Sequence, residues 1–158
     1  MRPARLGLIG VILAASLAGA QTPAGDWLGQ LLAETDAGQR AKLLAAHRAE
    51  LGAGHVRGFC RAALRGTDDA GSQRVLVVAG EIAELLRNDD ADAFLALYRG
   101  YDGARRDQWG AARPQFERSA TLYDKLDKPL QRRCAQAWCA LAAERTGDLA
   151  DARGWLAR

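Results

Sequence analysis

The chain has 158 residues, of which 49% are hydrophobic and 26% charged, a balance that excludes a disordered polyelectrolyte or a collagen-like polymer and sets one globular domain as the default. Alanine supplies 33 residues while aromatics make up only 6%, so the apolar content is mainly small side chains of high helix propensity, which favours packed helices over a sheet. The formal charge of +3 includes Arg2 and Arg5; without them 20 basic residues face 19 acidic ones, and a nucleic-acid partner argued from global charge is excluded.

Residues 1–20 read as a secretion signal of the bacterial Sec type. Arg2 and Arg5 give a positive start, residues 6–17 are apolar, and Ala18-Gly19-Ala20 offers small residues for cleavage before Gln21. The apolar stretch is shorter than the roughly 20 residues that cross a bilayer, so no membrane span is expected after cleavage. Ala20 stands where a lipid-anchored protein carries cysteine. The expected location is therefore periplasmic or extracellular, with no lipid anchor at that site.

Residues 21–25 read as a linker, and 26–87 as an N-terminal helical region of degenerate repeats or a cap. Asp26 is positioned to cap a short helix carrying Trp27, Leu28, Leu31 and Leu32. Asp36 and Gln39 have capping-box spacing and open a helix over 37–51. Gly52 to Gly54 then stop it through a left-handed glycine. Val56, Phe59, Cys60, Ala63 and Leu64 fall at i, i+3, i+4, i+7 and i+8, one helical face ended by Gly66. Val75 to Val78 alone reads as a buried strand, but the length of 73–87 and the spacing of Glu81, Glu84 and Arg87 decide for helix. Asn88-Asp89-Asp90 closes that helix and caps the next. A metal reading of Asp89, Asp90 and Asp92 lacks the glycine-turned loop and distal glutamate of a calcium site.

From Asp90 onward the chain echoes itself at an interval of 40. Phe94 matches Cys134, Leu97 matches Ala137, Tyr98 matches Trp138, Tyr101 matches Leu141, Trp109 matches Leu149, Ala112 matches Ala152 and Phe116 matches Leu156, all apolar. Positions 94, 97, 98 and 101 make one helical stripe and 109, 112 and 116 another, after a break over 103–107, so each copy predicts two antiparallel helices. Alanine at 112 and 152 allows close approach within a pair. The aromatic residues Tyr98, Tyr101, Trp109 and Trp138 are expected in the core, with Trp155 the most exposed.

The run from Glu117 to Pro129, then Ala137-Trp138-Cys139-Ala140-Leu141-Ala142 and Gly147-Asp148-Leu149-Ala150-Asp151-Ala152, resembles tetratricopeptide repeats of the long, roughly 40-residue variety. The resemblance covers residues 90–158. It departs from the pattern at Asp107-Gln108-Trp109, which lacks the Gly-Asp of the second copy, and at Pro114, which is expected in the first turn of a later-starting helix. It implies an all-α fold of antiparallel helix pairs stacked as a short right-handed solenoid, with two pairs over 88–158. The last helix, from 148 to the end, is shorter than its counterpart over 109–126, so the expectation is a truncated final pair.

Nothing in the sequence supplies catalysis. His47 and His55 lie on separate elements with no zinc spacing; a Cys60–His55 pair lacks an orienting third group; and Gly52-Ala53-Gly54 follows a helix where a phosphate loop follows a strand. No catalytic, cofactor or metal residue is assigned. Arg105, Arg106, Arg113, Arg118, Arg132 and Arg133 read as a solvated face salted with Asp102, Asp107, Glu117 and Asp124. Of the three cysteines, Cys134 and Cys139 are placed too far apart on one helix to bridge, and pairing of Cys60 with either stays open. The functional expectation is an exported scaffold or adaptor that binds a protein or peptide, with self-association through the open C-terminal end as a further outcome. The alternative is the N-terminal recognition arm of a longer secreted enzyme, such as a peptidase, whose catalytic domain lies outside this chain.

Overall fold

The computed structural model describes residues 27–66 and 69–157; the signal, the linker and the Asp26 cap lie outside them. The chain divides at Leu86 and Arg87 into two compact units. All eight α-helices of the described residues, and one 3-10 turn, belong to an all-α fold with no strand among them. No helix among the described residues is long and apolar enough to cross a membrane.

The first unit holds α1 (Trp27–Ala33), α2 (Ala37–Ala46), α3 (Ala53–Arg65) and α4 (Asp69–Leu86). Asp36 caps α2 by accepting the Gln39 amide at 2.8 Å, as its spacing predicts. The helix expected over 37–51 stops at Ala46 and gives way to a 3-10 turn, Arg48–Glu50. At the break the His47 ring lies on the Trp27 indole, 4.4 Å between centroids. Gly52 to Gly54 do not act through a left-handed residue either. Gly52 is extended at φ −154°, and Ala53 and Gly54 already belong to α3. Arg40 ties the unit together. Its guanidinium meets Glu81 of α4 at 2.7 to 3.1 Å and donates to the Glu34 and Thr35 carbonyls at the end of α1. Val56, Phe59, Cys60, Val78, Ala79 and Ile82 are its fully buried centre.

The second unit is a series of helices set at equal intervals: α5 (Asp89–Arg105), α6 (Trp109–Lys125), α7 (Pro129–Arg145) and α8 (Leu149–Leu156). Each packs along the next in chain order. The recurrence is set by the turns. Asp107, Asp127 and Gly147 have φ of 59°, 51° and 85°, each at the centre of a three-residue connection. At all three, the next residue's amide returns to the carbonyl five positions back: Gln108 to Gly103 at 2.8 Å, Lys128 to Tyr123 at 2.9 Å and Asp148 to Ala143 at 2.8 Å. The left-handed residue itself donates to the carbonyl three back at 3.0 Å. This double bond satisfies carbonyls that a helix end leaves open. The chain thus reverses the same way every 20 residues. Arg87, two residues before α5, is also left-handed at φ 48°, and Asn88 caps α5 through the Asp90 and Ala91 amides.

Antiparallel packing of α5 and α6 is read from three contacts whose numbers rise on one helix as they fall on the other. The Ser119 hydroxyl donates to the Ala93 carbonyl at 2.9 Å. The Phe116 ring lies on Gly100, and Ala112 lies on Gly103. Gly103 is therefore helical, inside α5, and the break expected over 103–107 shrinks to 106–108. Its missing side chain serves close approach to Ala112, because a Cβ there would sit 3.2 Å from that of Ala112. Pro114 is not in a first turn. It lies five residues into α6, which runs on through it; the carbonyl it deprives of a donor belongs to Gly110, an exposed residue whose C=O can be hydrated. The final helix has eight residues.

Candidate functional site

The residues that repeat at 40 form a surface as well as a seam. Phe94, Tyr98 and Tyr101 are spaced i, i+4, i+7 on α5, and Cys134, Trp138 and Leu141 take the same places on α7. Apart from Cys134, which is exposed, all are half-buried. They join into one ridge through their rings. Phe94 stacks on Tyr98 at 4.6 Å, Tyr98 meets Tyr101 edge-on at 5.4 Å, and Tyr101 meets Trp138 edge-on at 4.9 Å. Beneath them Phe116 of α6, with no exposed surface, stacks on Trp138 at 5.4 Å. Leu130, 77% exposed, extends the line one turn before Cys134. The expectation that Tyr98, Tyr101 and Trp138 are core is half right: one side of each row rests on the core around Phe116, Ala120, Tyr123 and Cys139, and the other faces solvent. An α-helix with neighbours on two sides still leaves a third stripe open, and the repeat fills that stripe with rings.

The Tyr101 hydroxyl and the Cys134 sulfur are 3.6 Å apart, within sulfur hydrogen-bond range. Burial first, and the Cys134 contact second, push the Tyr101 phenol well above its ordinary value. Tyr101 is consequently neutral throughout the physiological range and is a hydrogen-bonding, stacking group with no charge to offer. Chemically the ridge can hold apolar and aromatic groups against its rings and satisfy a few polar atoms through its hydroxyls.

Five of the six arginines predicted to be a solvated face are engaged with carboxylates, and Arg133 is exposed as expected. Arg105 and Arg106 both bind Asp102 at 3.1 Å. Asp102 itself is buried, 6% exposed, and so is corrected from a surface charge to the buried partner of two cations. Arg113 of α6 bonds Glu117 at 2.9 Å and reaches across to Asp148 and Asp151 of the α8 terminus at 3.3 and 2.7 Å. Arg118 meets Asp92 at 3.5 Å, and Arg132 meets Asp124. Arg145 lies 5.5 Å from the centre of the Trp109 ring. Trp155, expected to be the most exposed aromatic, is partly buried and donates to Asp151 at 2.8 Å; Leu149 and Leu156 are the exposed large hydrophobic residues of α8, at 57% and 73%.

Asp89 and Asp90 receive Lys125 and Lys128. His55 accepts the Gly52 amide at 3.2 Å through Nδ1 and so closes the start of α3. Cys60 is buried in the same helix, and Cys60, Cys134 and Cys139 are all free thiols. Cys134 is exposed, whereas Cys60 and Cys139 are buried, because its place on α7 is on the open stripe. Sequence reasoning missed Ser119, the Arg113 hub and the Arg40–Glu81 clamp. Only the turns left a signal, in the 20-residue interval of Asp107, Asp127 and Gly147. No protein-family model, curated protein or solved structure matches the chain.

Proposed function

We propose that this chain is an exported, tetratricopeptide-like repeat module whose helix pairs form a short right-handed solenoid, and that it binds a protein or peptide without a catalytic site of its own. The observation that supports this reading is the ridge of half-buried rings at equivalent positions of α5 and α7, anchored on Phe116. Rigid aromatic groups fixed by neighbouring rings lose little conformational entropy on binding and present large apolar area, the properties of interface hot spots. Export is read from residues 1–20 alone.

Selection of a random peptide display library on the mature chain tests the proposal. Retained peptides are expected to be rich in apolar and aromatic residues, and to lose at least about tenfold in affinity to Trp138→Ala or Tyr98→Ala variants that keep their helical circular dichroism, since one lost hot spot is worth about 1.4 kcal/mol or more. Retention that is indifferent to both variants, or no retention at all, overturns it.

A further inference from the structure

The first unit contains a set of three mutually bonded side chains that the binding function does not use. His47 stands between α2 and the 3-10 turn. Its ring lies parallel to the Trp27 indole, 2° between planes and 4.4 Å between centroids, and its Nδ1 is 2.8 Å from Glu50 Oε1. Glu50 closes the triangle by accepting the Trp27 indole N–H at 3.2 Å through its other oxygen. Trp27 is 5% exposed and is the first residue of α1. The three groups therefore fasten the start of α1 to the connection that leads from α2 into α3.

We propose that this triangle is a pH-sensitive clasp, closed when His47 is protonated and loosened when it is neutral. Protonated His47 places a full positive charge between the Glu50 carboxylate and the face of an indole, so the ion pair and the cation–π attraction act together. Neutral His47 keeps ring stacking and one weaker hydrogen bond. Glu50 and the solvent-exposed Arg48 come from its own turn, His55 of α3 lies close enough to act on Glu50 electrostatically, and α1 contributes the uncharged Trp27. The His47 hydrogen bond holds the Glu50 carboxyl below the usual carboxylate range, which keeps the partner ionised through the window in which histidine changes charge.

Nuclear magnetic resonance of the full chain tests the clasp, following the Trp27 indole N–H and the histidine ring signals from about pH 5 to about pH 8, the range in which histidine titrates. The Trp27 indole signal is expected to shift in a single step whose midpoint coincides with that of the His47 ring. The step is expected to vanish in His47→Gln and to persist in His55→Gln. An unmoving Trp27 signal, a midpoint that follows His55, or a step that survives His47→Gln overturns the proposal. If His47→Gln does not fold, the coincidence of midpoints in the unaltered chain decides the matter.

Discussion

The Phe116 ring occupies the space that a side chain on Gly100 would need: a Cβ built on Gly100 sits 2.5 Å from the ring. Backbone and ring meet there without an intervening side chain, and this approach brings α5 against α6 and lets Phe116 reach under Trp138. Gly100→Ala gains up to about 1 kcal/mol of helix propensity but overpacks the ring at about 1–3 kcal/mol, because a filled core can make room only by leaving its preferred rotamers. A net loss of up to about 2 kcal/mol is expected in urea unfolding. Gly110→Ala in α6, where no atom lies within 4 Å of the new Cβ, should stabilise by about 0.5–1 kcal/mol, and the opposite order of the two variants would contradict the packing described.

Ser119 is completely buried, and its hydroxyl bonds across the helix interface to Ala93. Ser119→Ala removes one hydrogen bond without changing the fit of the backbone, and should cost about 1 kcal/mol. Ser119→Val puts two methyl groups where one hydroxyl lay and overfills a completely buried site, so it should cost more than alanine. Thermal unfolding of the two variants ranks them.

The left-handed turns differ in their residues and not in their geometry. Gly147→Ala imposes a Cβ on a φ of 85° and should destabilise by about 1 kcal/mol, by steric contact with the adjoining carbonyl. Asp127→Gly, at φ 51°, relieves the same contact and should leave stability unchanged or raise it, the gain being partly offset by the freer unfolded chain. Equal effects of the two changes on the unfolding midpoint would mean the turns are not held left-handed in solution.

Acid should loosen α8 before the rest of the second unit. The Asp148 carboxyl is held below its ordinary value, first by the Asp151 amide that it caps and then by Arg113. A depressed carboxylate contributes stability that is fully present above its unfolded value and lost as pH falls through its folded value. Protection of the α8 amides from hydrogen exchange, taken relative to the intrinsic rate at each pH, is therefore expected to fall below the ordinary aspartate range, and Asp148→Asn, which retains an oxygen for the cap but no charge, should flatten that dependence. Unchanged protection in α8 down to acid pH would remove Asp148 as its fastening.

The all-helical fold was legible in the chain because alanine content, capping residues and 3.6-residue periodicity act locally, within a turn or two of helix. The echo at 40 likewise placed Phe94, Tyr98 and Tyr101 in the same register as Cys134, Trp138 and Leu141. Periodicity marks a stripe, however, and does not tell which neighbour covers it; only the packing of α5, α6 and α7 decided that these rings are half-open while Phe116 is closed. Asp102 reads as a surface charge until Arg105 and Arg106 fold over it, and nothing in the helix begun at Ala37 places the His47 ring on Trp27. In each case the deciding partner lies on another turn or another element, and its contribution is an interaction energy that exists only once the chain has brought the two groups together.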